Sequence, residues 1–324
     1  MAALGVPGRG PTRDGERVSY PPVNSYIDRA SHSSSFTCYE LLRFPFGRNW
    51  KAYLNLVTED RVIDSQSALA AMLDKSTLGG RSFLDVGSGS GLSSLAAIRL
   101  GASRVLSFDY DEDSVECTRE LKRRFSPTST NWSIEQGSAL DERYMERLGP
   151  WDIVYSWGVL HHTGNMKQAF ENVCRPVAPG GTLFISIYND QGKTSIRWTR
   201  IKSLYNSSRI ARWIILLVFI PYYAVRAAIT ALLRPIRRRS VPPNERGMTP
   251  LVGWLDWLGG YPFEVATPDE IRDFFTGRGF TLERLNSRVG TIGCNEFVFR
   301  KGSVGTQEGL RPHSSGAEAA LKKG

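Results

Sequence analysis

The sequence has few cysteines and lacks the spacing that would place them in a disulfide framework or a zinc site. Among its 324 residues there are four, with no Cys-x-x-Cys pair: Cys38, Cys117, Cys174 and Cys294. Together with the lack of a signal-peptide pattern, this spacing predicts a reducing, cytoplasmic environment. Residues 1–24 contain no apolar run of the kind found in signal peptides. That segment and residues 302–324 are expected to be disordered tails.

Two nucleotide-binding patterns are also missing. The sequence contains neither the Gly-x-x-x-x-Gly-Lys-Ser/Thr phosphate loop nor the Gly-x-Gly-x-x-Gly turn of dinucleotide-binding folds. Acidic residues are outnumbered by basic ones, 32 against 41, which gives a formal net charge of +9. A basic chain is compatible with nucleic acid, an anionic membrane or a phosphorylated substrate as its partner.

A glycine-rich turn is the most informative feature that is present. Residues 83–91 read Phe-Leu-Asp-Val-Gly-Ser-Gly-Ser-Gly, and a helical pattern begins at Leu92. The pattern predicts a buried strand that ends in a tight turn and opens a helix. Glycines at such a turn allow the backbone to approach a ligand, and the first helical turn presents N–H groups without intrahelical partners.

The next predicted strand ends in a carboxylate. Residues 104–108 form a short, mostly apolar segment, and Asp109, Tyr110 and Asp111 follow it. A carboxylate at the end of the second strand of a doubly wound sheet can accept hydrogen bonds from ribose hydroxyls. Asp109 is therefore the candidate ribose ligand, Tyr110 a candidate to pack against adenine, and Asp111 a candidate helix cap.

The glycine spacing together with Asp85 resembles motif I of class I S-adenosylmethionine-dependent methyltransferases. Residues 132–139, 151–162 and 179–187 resemble the later strands of that family, in the family's order. The resemblance implies S-adenosylmethionine as co-substrate, with Asp85 suited to its ammonium group and no metal required. It implies cofactor contacts from Asp85, Gly87, Ser88, Gly89, Gly91, Asp109, Tyr110, Gly137, Ser138, Ala139 and Trp157. Where the family usually has an acidic residue against adenine, this chain has Ser138, with Asp141 a little beyond.

The predicted fold is α/β: a Rossmann-like, doubly wound, seven-stranded and mostly parallel sheet with an antiparallel last strand and a helical lid insertion. Thr267 to Glu270 form a capping-box pattern, and residues 279–285 and 295–300 are expected to be the last two strands. The expected organisation comprises a disordered tail (1–24), an N-terminal helical cover (25–80), an S-adenosylmethionine-binding core (81–190), the lid (191–262), the C-terminal part of the core (263–301) and a second disordered tail (302–324).

Two adjacent histidines follow the fourth predicted strand. His161 and His162 would lie at the carboxyl edge of the sheet, where ligands bind in this fold class. A histidine can remove a proton from a phenol or a sugar hydroxyl near neutral pH. His162 is the first candidate for the catalytic base, with His161 or a tyrosine as the alternative. The same loop lacks the Asn/Asp-Pro-Pro-Tyr sequence of amine and amide methyltransferases, which favours an oxygen acceptor. An ortho carbon of a phenol remains an alternative.

The lid insertion carries an unusually apolar segment. Between positions 213 and 233 only Arg226 is charged, and further arginines follow up to Arg239. The segment approaches the roughly 20 residues needed to cross a bilayer. A single crossing is not expected, because strands before and after it must pair in one sheet, and Pro221 is expected to interrupt the run. A buried pair of lid helices and an interfacial element over residues 210–239 remain as alternatives.

These observations leave several functions open. The first is O-methylation of a small-molecule, lipid-linked or glycan-like acceptor in the cytoplasm, or at the inner face of the membrane if the lid contacts lipid. The lid's position is similar to that in ubiquinone-biosynthesis O-methyltransferases, whose insertion touches membrane, although this resemblance is more limited. An RNA methyltransferase is a second candidate, but nucleic acid is less expected because the basic cluster adjoins an apolar run. A non-catalytic nucleoside-binding module is a third. The oligomeric state is left open.

Overall fold

One sheet organises the part of the chain that the computed structural model describes, which is residues 42–237, 250–287 and 293–303. Its strands are β1 (Ser82–Val86), β2 (Arg104–Asp109), β3 (Trp132–Gln136), β4 (Trp151–Trp157), β5 (Val177–Tyr188), β6 (Phe280–Asn286) and β7 (Cys294–Lys301). The helices are α1 (Phe46–Leu54), α2 (Glu59–Leu73), α3 (Leu92–Arg99), α4 (Glu112–Phe125), α5 (Glu142–Arg147), α6 (Met166–Val173), α7 (Lys193–Ser207), α8 (Arg209–Arg237), α9 (Pro250–Gly259) and α10 (Pro268–Thr276).

The order of the strands in the sheet is β3-β2-β1-β4-β5-β7-β6. Strands β1 to β5 pair in parallel, and β7 runs antiparallel to both β5 and β6. The predicted Rossmann-like sheet with an antiparallel last strand is confirmed. The order reverses between β1 and β4, and in open α/β sheets ligands bind at the carboxyl ends of the strands flanking such a reversal.

Apolar side chains cover both faces of the sheet. Along β1, Phe83 belongs to one buried cluster, which includes residues of α2, α3 and α4, and Leu84 belongs to a second, which includes residues of α6 and α10. Successive side chains of a strand point to opposite faces, so this alternation divides the core into two layers. The nearly continuous apolar runs of the central strands are those expected of a parallel sheet covered by helices on both sides.

The capping box predicted before the C-terminal strands is present at the start of α10. The Thr267 side chain accepts a hydrogen bond from the Glu270 backbone N–H, while the Glu270 carboxylate accepts one from the Thr267 backbone N–H. Pro268 occupies the first helical position, where its missing N–H costs no intrahelical bond. These residues therefore fix the start of the helix that leads the chain back to the sheet.

Helices α7, α8 and α9 lie in the segment predicted to be a lid. The expected interruption at Pro221 is wrong, because α8 continues through this residue as one helix of 29 residues. Proline removes only one backbone hydrogen bond, that to the carbonyl of Leu217, and this part of the helix is exposed to solvent. The predicted tail 1–24, the first part of the predicted N-terminal cover (25–41) and residues 304–324 lie outside the described residues.

Candidate active site

The glycine-rich turn of residues 87–91 links β1 to α3 and brings the backbone into close contact with its neighbours. Gly87 has a φ of +79°, and a Cβ atom on it would lie 2.4 Å from a methyl group of Val159. Gly89 has a φ of +55°, and a Cβ there would lie 3.0 Å from the indole nitrogen of Trp50. A side chain at either position would be strained and would also fill the space that the turn leaves open.

Asp109 closes this turn from the end of β2. Its Oδ2 accepts a hydrogen bond from the Gly89 backbone N–H at 2.9 Å, and its Oδ1 accepts one from the Asp111 N–H at 2.9 Å. Burial raises the pKa of Asp109 to about 6, although these two N–H groups oppose the shift. Each carboxylate oxygen has more than one lone-pair site, so Asp109 can accept further hydrogen bonds from a ligand hydroxyl.

Asp85 is held in place by a buried chain of hydrogen bonds. The Trp132 indole N–H donates to Ser107 Oγ at 2.7 Å, and the hydroxyl groups of Ser107 and Ser94 are 2.5 Å apart. Ser94 in turn donates to Asp85 Oδ2 at 2.5 Å. Because an indole only donates and a carboxylate only accepts, every hydrogen bond of the chain runs towards Asp85. The carboxylate orientation is therefore set by residues of β2, β3 and α3.

A cavity lies over the carboxyl ends of β1, β2 and β4, where the strand order reverses. Seven of the predicted site residues line it: Asp85, Gly87, Ser88, Gly89, Asp109, Trp157 and His162. The structure adds Tyr155 on β4 and, from distant parts of the chain, Phe44, Phe46, Trp50, Leu69, Met72 and Asp256. In the sequence, the signals for this wall were the aromatic residues of segments 36–50 and 248–263.

A second, more open cleft adjoins the first and shares Arg43, Phe44 and Asp111 with it. Tyr110, Gly137 and Ser138 line this cleft. The Arg43 guanidinium lies 4.3 Å from the centre of the Tyr110 ring, so one face of that ring is already covered. The two clefts meet beside Asp109. A nucleoside whose ribose binds Asp109 could therefore place its base in the second cleft.

Three residues near this cleft have structural roles. A Cβ on Gly137 would lie 2.3 Å from the Tyr144 ring, which explains the glycine at this position. Asp111 caps α4, as predicted, by accepting a hydrogen bond from the Asp113 N–H at 2.9 Å. Asp141 caps α5 through the Tyr144 N–H at 3.0 Å.

Two predicted cofactor contacts lie outside both clefts. Gly91 caps α3 with a φ of +82° and faces α4, where a Cβ would lie 2.9 Å from the Thr118 side chain. Ala139 is buried in the apolar layer below the sheet, and its carbonyl accepts a hydrogen bond from Asn172 at 2.9 Å. Their positions are explained by packing between elements, which the local motif does not show.

The structure distinguishes the two predicted histidines. His162 ends a short 3₁₀ turn (Leu160–His162), lines the cavity, and places its Nδ1 2.6 Å from the Pro262 carbonyl oxygen. Since a carbonyl can only accept, Nδ1 carries the proton, and in the neutral ring the lone pair is on Nε2. His161 is fully buried outside the cavity lining, with its ring 4.1 Å from that of Tyr188.

Trp157 connects the cavity to the antiparallel end of the sheet. Its indole N–H donates to the Glu296 carboxylate on β7 at 3.0 Å, and Glu296 also accepts from Asn286 on β6 at 2.9 Å. Within the described residues, no three His, Cys, Asp or Glu side chains form a group that could hold a metal ion. The expectation that the chemistry needs no metal stays a prediction.

Comparison with known proteins agrees with this geometry. Residues 79–215 match the family model of the methyltransferase domain. The ribosomal protein L11 methyltransferases of Bacillus cereus (strain AH820) and Bacillus anthracis are 31% identical to the chain over 150 residues, covering 42% of this chain and 45% of each relative. The chain thus spans about half the length of these curated relatives.

Two solved structures illustrate the structural similarity. Magnesium protoporphyrin IX methyltransferase from Synechocystis PCC 6803 is 14% identical, with a TM-score of 0.45 over 74% of this chain and 83% of that chain. A chain of the complex between the Haloferax volcanii Trm112 methyltransferase activator and the putative methyltransferase is 14% identical, with a TM-score of 0.49 over 80% and 99%.

The sheet order and the glycine-rich turn at its reversal point define a Rossmann-like α/β domain. The family match is more specific: this chain carries a class I S-adenosylmethionine-dependent methyltransferase domain, and S-adenosylmethionine is the methyl donor of that class. The predicted family is confirmed.

Proposed function

We propose that the chain transfers the methyl group of S-adenosylmethionine to an oxygen atom of a small or lipid-linked acceptor, with His162 as the general base. The observation that carries this proposal is the position of the His162 imidazole, which lines the same cavity as the glycine-rich turn and Asp109. Its Nδ1 is held by the Pro262 carbonyl, so the tautomer with a basic Nε2 is favoured.

The donor side of the cavity fits S-adenosylmethionine. Asp109 offers carboxylate oxygens for ribose hydroxyls, and the carboxylate of Asp85 suits the donor's ammonium group. Gly87 and Gly89 leave room where side chains would stand. When bound, the donor supplies an electrophilic methyl group on a positively charged sulfur. The protein's tasks are then alignment and removal of the acceptor proton.

The acceptor side is mostly apolar. Phe46 and Trp50 line the cavity from α1, and Leu69 and Met72 line it from α2. The Phe46 ring lies 4.9 Å from the His162 ring, so the candidate base is flanked by an aromatic surface. Such a wall favours a lipophilic or planar acceptor and limits the access of water to the reacting atoms.

Other acceptors define the alternatives. Methylation at an ortho carbon of a phenol would need the same proton removal, and an RNA methyltransferase would use the positive charge of the chain. The matched curated relatives are named for methylation of a ribosomal protein, so a protein acceptor is a further alternative.

Incubation of cell extracts with purified protein and a donor carrying a deuterated methyl group, followed by mass spectrometry, would identify the acceptor. Labelled RNA or protein without a labelled small molecule would contradict the proposed acceptor class.

His162→Asn tests the proposed base. The Asn amide can still donate to the Pro262 carbonyl but has no basic nitrogen, so turnover should fall by about 10²–10⁴-fold. Binding of S-adenosylmethionine, measured by calorimetry, should change little. His162→Ala, which removes both functions, serves as the comparison. Turnover by the Asn variant that equals the wild-type value would exclude His162 as the base.

A further inference from the structure

Helix α8 exposes a continuous apolar stripe. The stripe follows a helical spacing of three or four residues through Ile210, Ile214, Leu217, Pro221, Val225, Ala228 and Leu232. Leu217 and Leu232 are each 76% exposed, and Trp213 beside them is 72% exposed. Within Arg209–Leu232 the most apolar window of 18 residues has a mean hydropathy of 1.9. Exposure of so many large apolar side chains along one line marks a contact surface for a partner or a membrane.

The side of α8 opposite the stripe is covered by other residues in the first half of the helix and exposed in the second half. In the first half, residues such as Ile215 and Phe219 pack against Tyr205 and Leu258. Residues 224–232 have no covered side and are all exposed. In that second half the polar residues follow one another at helical spacing on the side away from the stripe: Arg226 and Thr230, continued in the sequence by Arg234 and Arg237. The exposed part is therefore amphipathic, with a basic polar face.

The topology excludes a single crossing of a bilayer by α8. The chain enters the lid from β5 and returns to β7, and these two strands pair with each other. Helix α9, on the return path, packs on α7 and has only 10 residues. Residues 238–249 include Arg238, Arg239 and Glu245 in the sequence, which do not suit a second apolar span. An element that is apolar on one side and anchored to a folded domain on the other must lie along an interface.

We propose that α8 docks this protein on an anionic membrane surface, with the stripe in the acyl-chain boundary and the arginines at headgroup level. Helices of this kind, with an apolar face and an arginine-rich polar face, bind in the plane of a bilayer and gain attraction from anionic lipids. The charge of α8 supports this occupant, because its sequence has five arginines and no Asp or Glu.

The same charge argues against a second copy of the chain as the occupant. A coiled-coil seam between two copies of α8 would place arginines beside arginines, with no acidic side chain on either helix to pair with them. Anionic lipids supply the missing negative charge. A dimer through α8 is thus an alternative outcome of the experiment.

Vesicle flotation of the full chain tests this proposal. Vesicles of phosphatidylcholine containing one quarter phosphatidylglycerol should carry the protein, and pure phosphatidylcholine vesicles should carry much less. The double substitution Leu217→Glu and Leu232→Glu should lower the fraction bound to anionic vesicles at least about tenfold, because it places two charges in the stripe. Ile63→Glu provides the matched control, since Ile63 is 51% exposed on α2, outside this stripe.

Binding of S-adenosylmethionine and the far-ultraviolet circular dichroism spectrum should be unchanged in the double variant, since both leucines point away from the body. Failure of the proposed methyl transfer would leave this flotation result unaffected, so the two proposals can fail separately. Equal flotation of the double variant and the wild type would overturn the docking proposal. The proposal would also be overturned if the wild type did not float with vesicles and light scattering showed a dimer that the two substitutions dissociate.

Discussion

At the scale of single residues, Asp109 combines two tasks in the candidate site. It holds the glycine-rich turn through the Gly89 N–H, and it presents the same carboxylate to the cavity. Its protonation state therefore affects both the shape of the turn and the acceptors available to a ribose. Burial raises its pKa to about 6, so the carboxylate gains its proton within the pH range of ordinary assays.

Affinity for S-adenosylmethionine should decrease as the pH falls through about 6. Below that pH the Asp109 carboxyl group of the free protein gains a proton and loses an acceptor site for the ribose hydroxyls. Since the ionised form is the one that binds, the affinity should drop by about tenfold between pH 7 and pH 5. Calorimetric titration over this range is the measurement. Asp109→Asn should bind weakly with little pH dependence, and an equal pH slope in the two proteins would contradict this role.

Which site residues could be predicted depended on where they lie in the chain. Asp85 and Asp109 lie at the carboxyl ends of β1 and β2, and Gly89 lies in the turn after β1, so the local sequence pattern was sufficient to predict them. Trp50 and Asp256 reach the cavity from α1 and α9. The aromatic residues of these two segments indicated a cover or a pocket wall, but no local pattern identified the side chains that line the cavity. His162 was distinguishable from His161 only once the 3₁₀ turn and Pro262 were in place.

At the scale of elements, α7 holds the carboxyl end of α9. The buried Lys202 ammonium donates to the Trp257 carbonyl, and Asn206 donates to the Gly259 carbonyl at 2.7 Å. The rings of Trp257 and Phe263 lie 4.1 Å and 4.8 Å from the Lys202 nitrogen. A cation at a helix carboxyl terminus is favourable, and here it also fixes the end of α9 that follows Asp256.

Lys202 should make the stability of the protein depend on pH. Burial lowers its pKa to about 7, an effect that Asp256 partly opposes, whereas in the unfolded chain the value is near 10.5. Between these two values the unfolded chain binds more protons, so the free energy of unfolding should rise with pH, by at most about 1.4 kcal/mol per pH unit.

Denaturant unfolding at pH 7 and pH 9.5 measures this dependence. Lys202→Met keeps the apolar volume and removes the titrating group. The increase in the free energy of unfolding between pH 7 and pH 9.5 should therefore be smaller in the variant than in the wild type. Asn206 and the remainder of the lid are unchanged in both proteins. An identical increase in the two proteins would show that Lys202 is not the group responsible.

Helix α8 shows what hydrophobic patterning leaves undecided. The apolar run predicted a lid or an interfacial helix, but composition does not reveal which sides of a helix are covered. Pro221 was expected to break the run, and the exposed helix accommodates it. The exposure of Leu217 and Leu232 became evident only from the packing of α8 on α7 and α9.

At the scale of the whole molecule, the doubly wound sheet with its antiparallel last strand was predictable because the motifs follow one another along the chain in a fixed order. The turn after β1, the carboxylate after β2 and the capping box of α10 each mark the position of an element, and together they imply the doubly wound sheet. The arrangement of the lid above the cavity was not predictable in this way. It depends on contacts such as that between Phe44 and Tyr205. Their rings lie 6.5 Å apart, although the two residues are far apart in the sequence.

Isothermal titration of the wild-type chain with S-adenosylmethionine tests the central claim most directly, which is that the cavity at the β1–β4 reversal binds the methyl donor. One binding site per chain is expected, with binding severely weakened in Asp109→Ala and retained in Asp273→Ala, a carboxylate that is exposed on α10 outside the cavity. The absence of binding heat in the wild type across several temperatures, or equal affinity in the wild type and Asp109→Ala, would contradict the account.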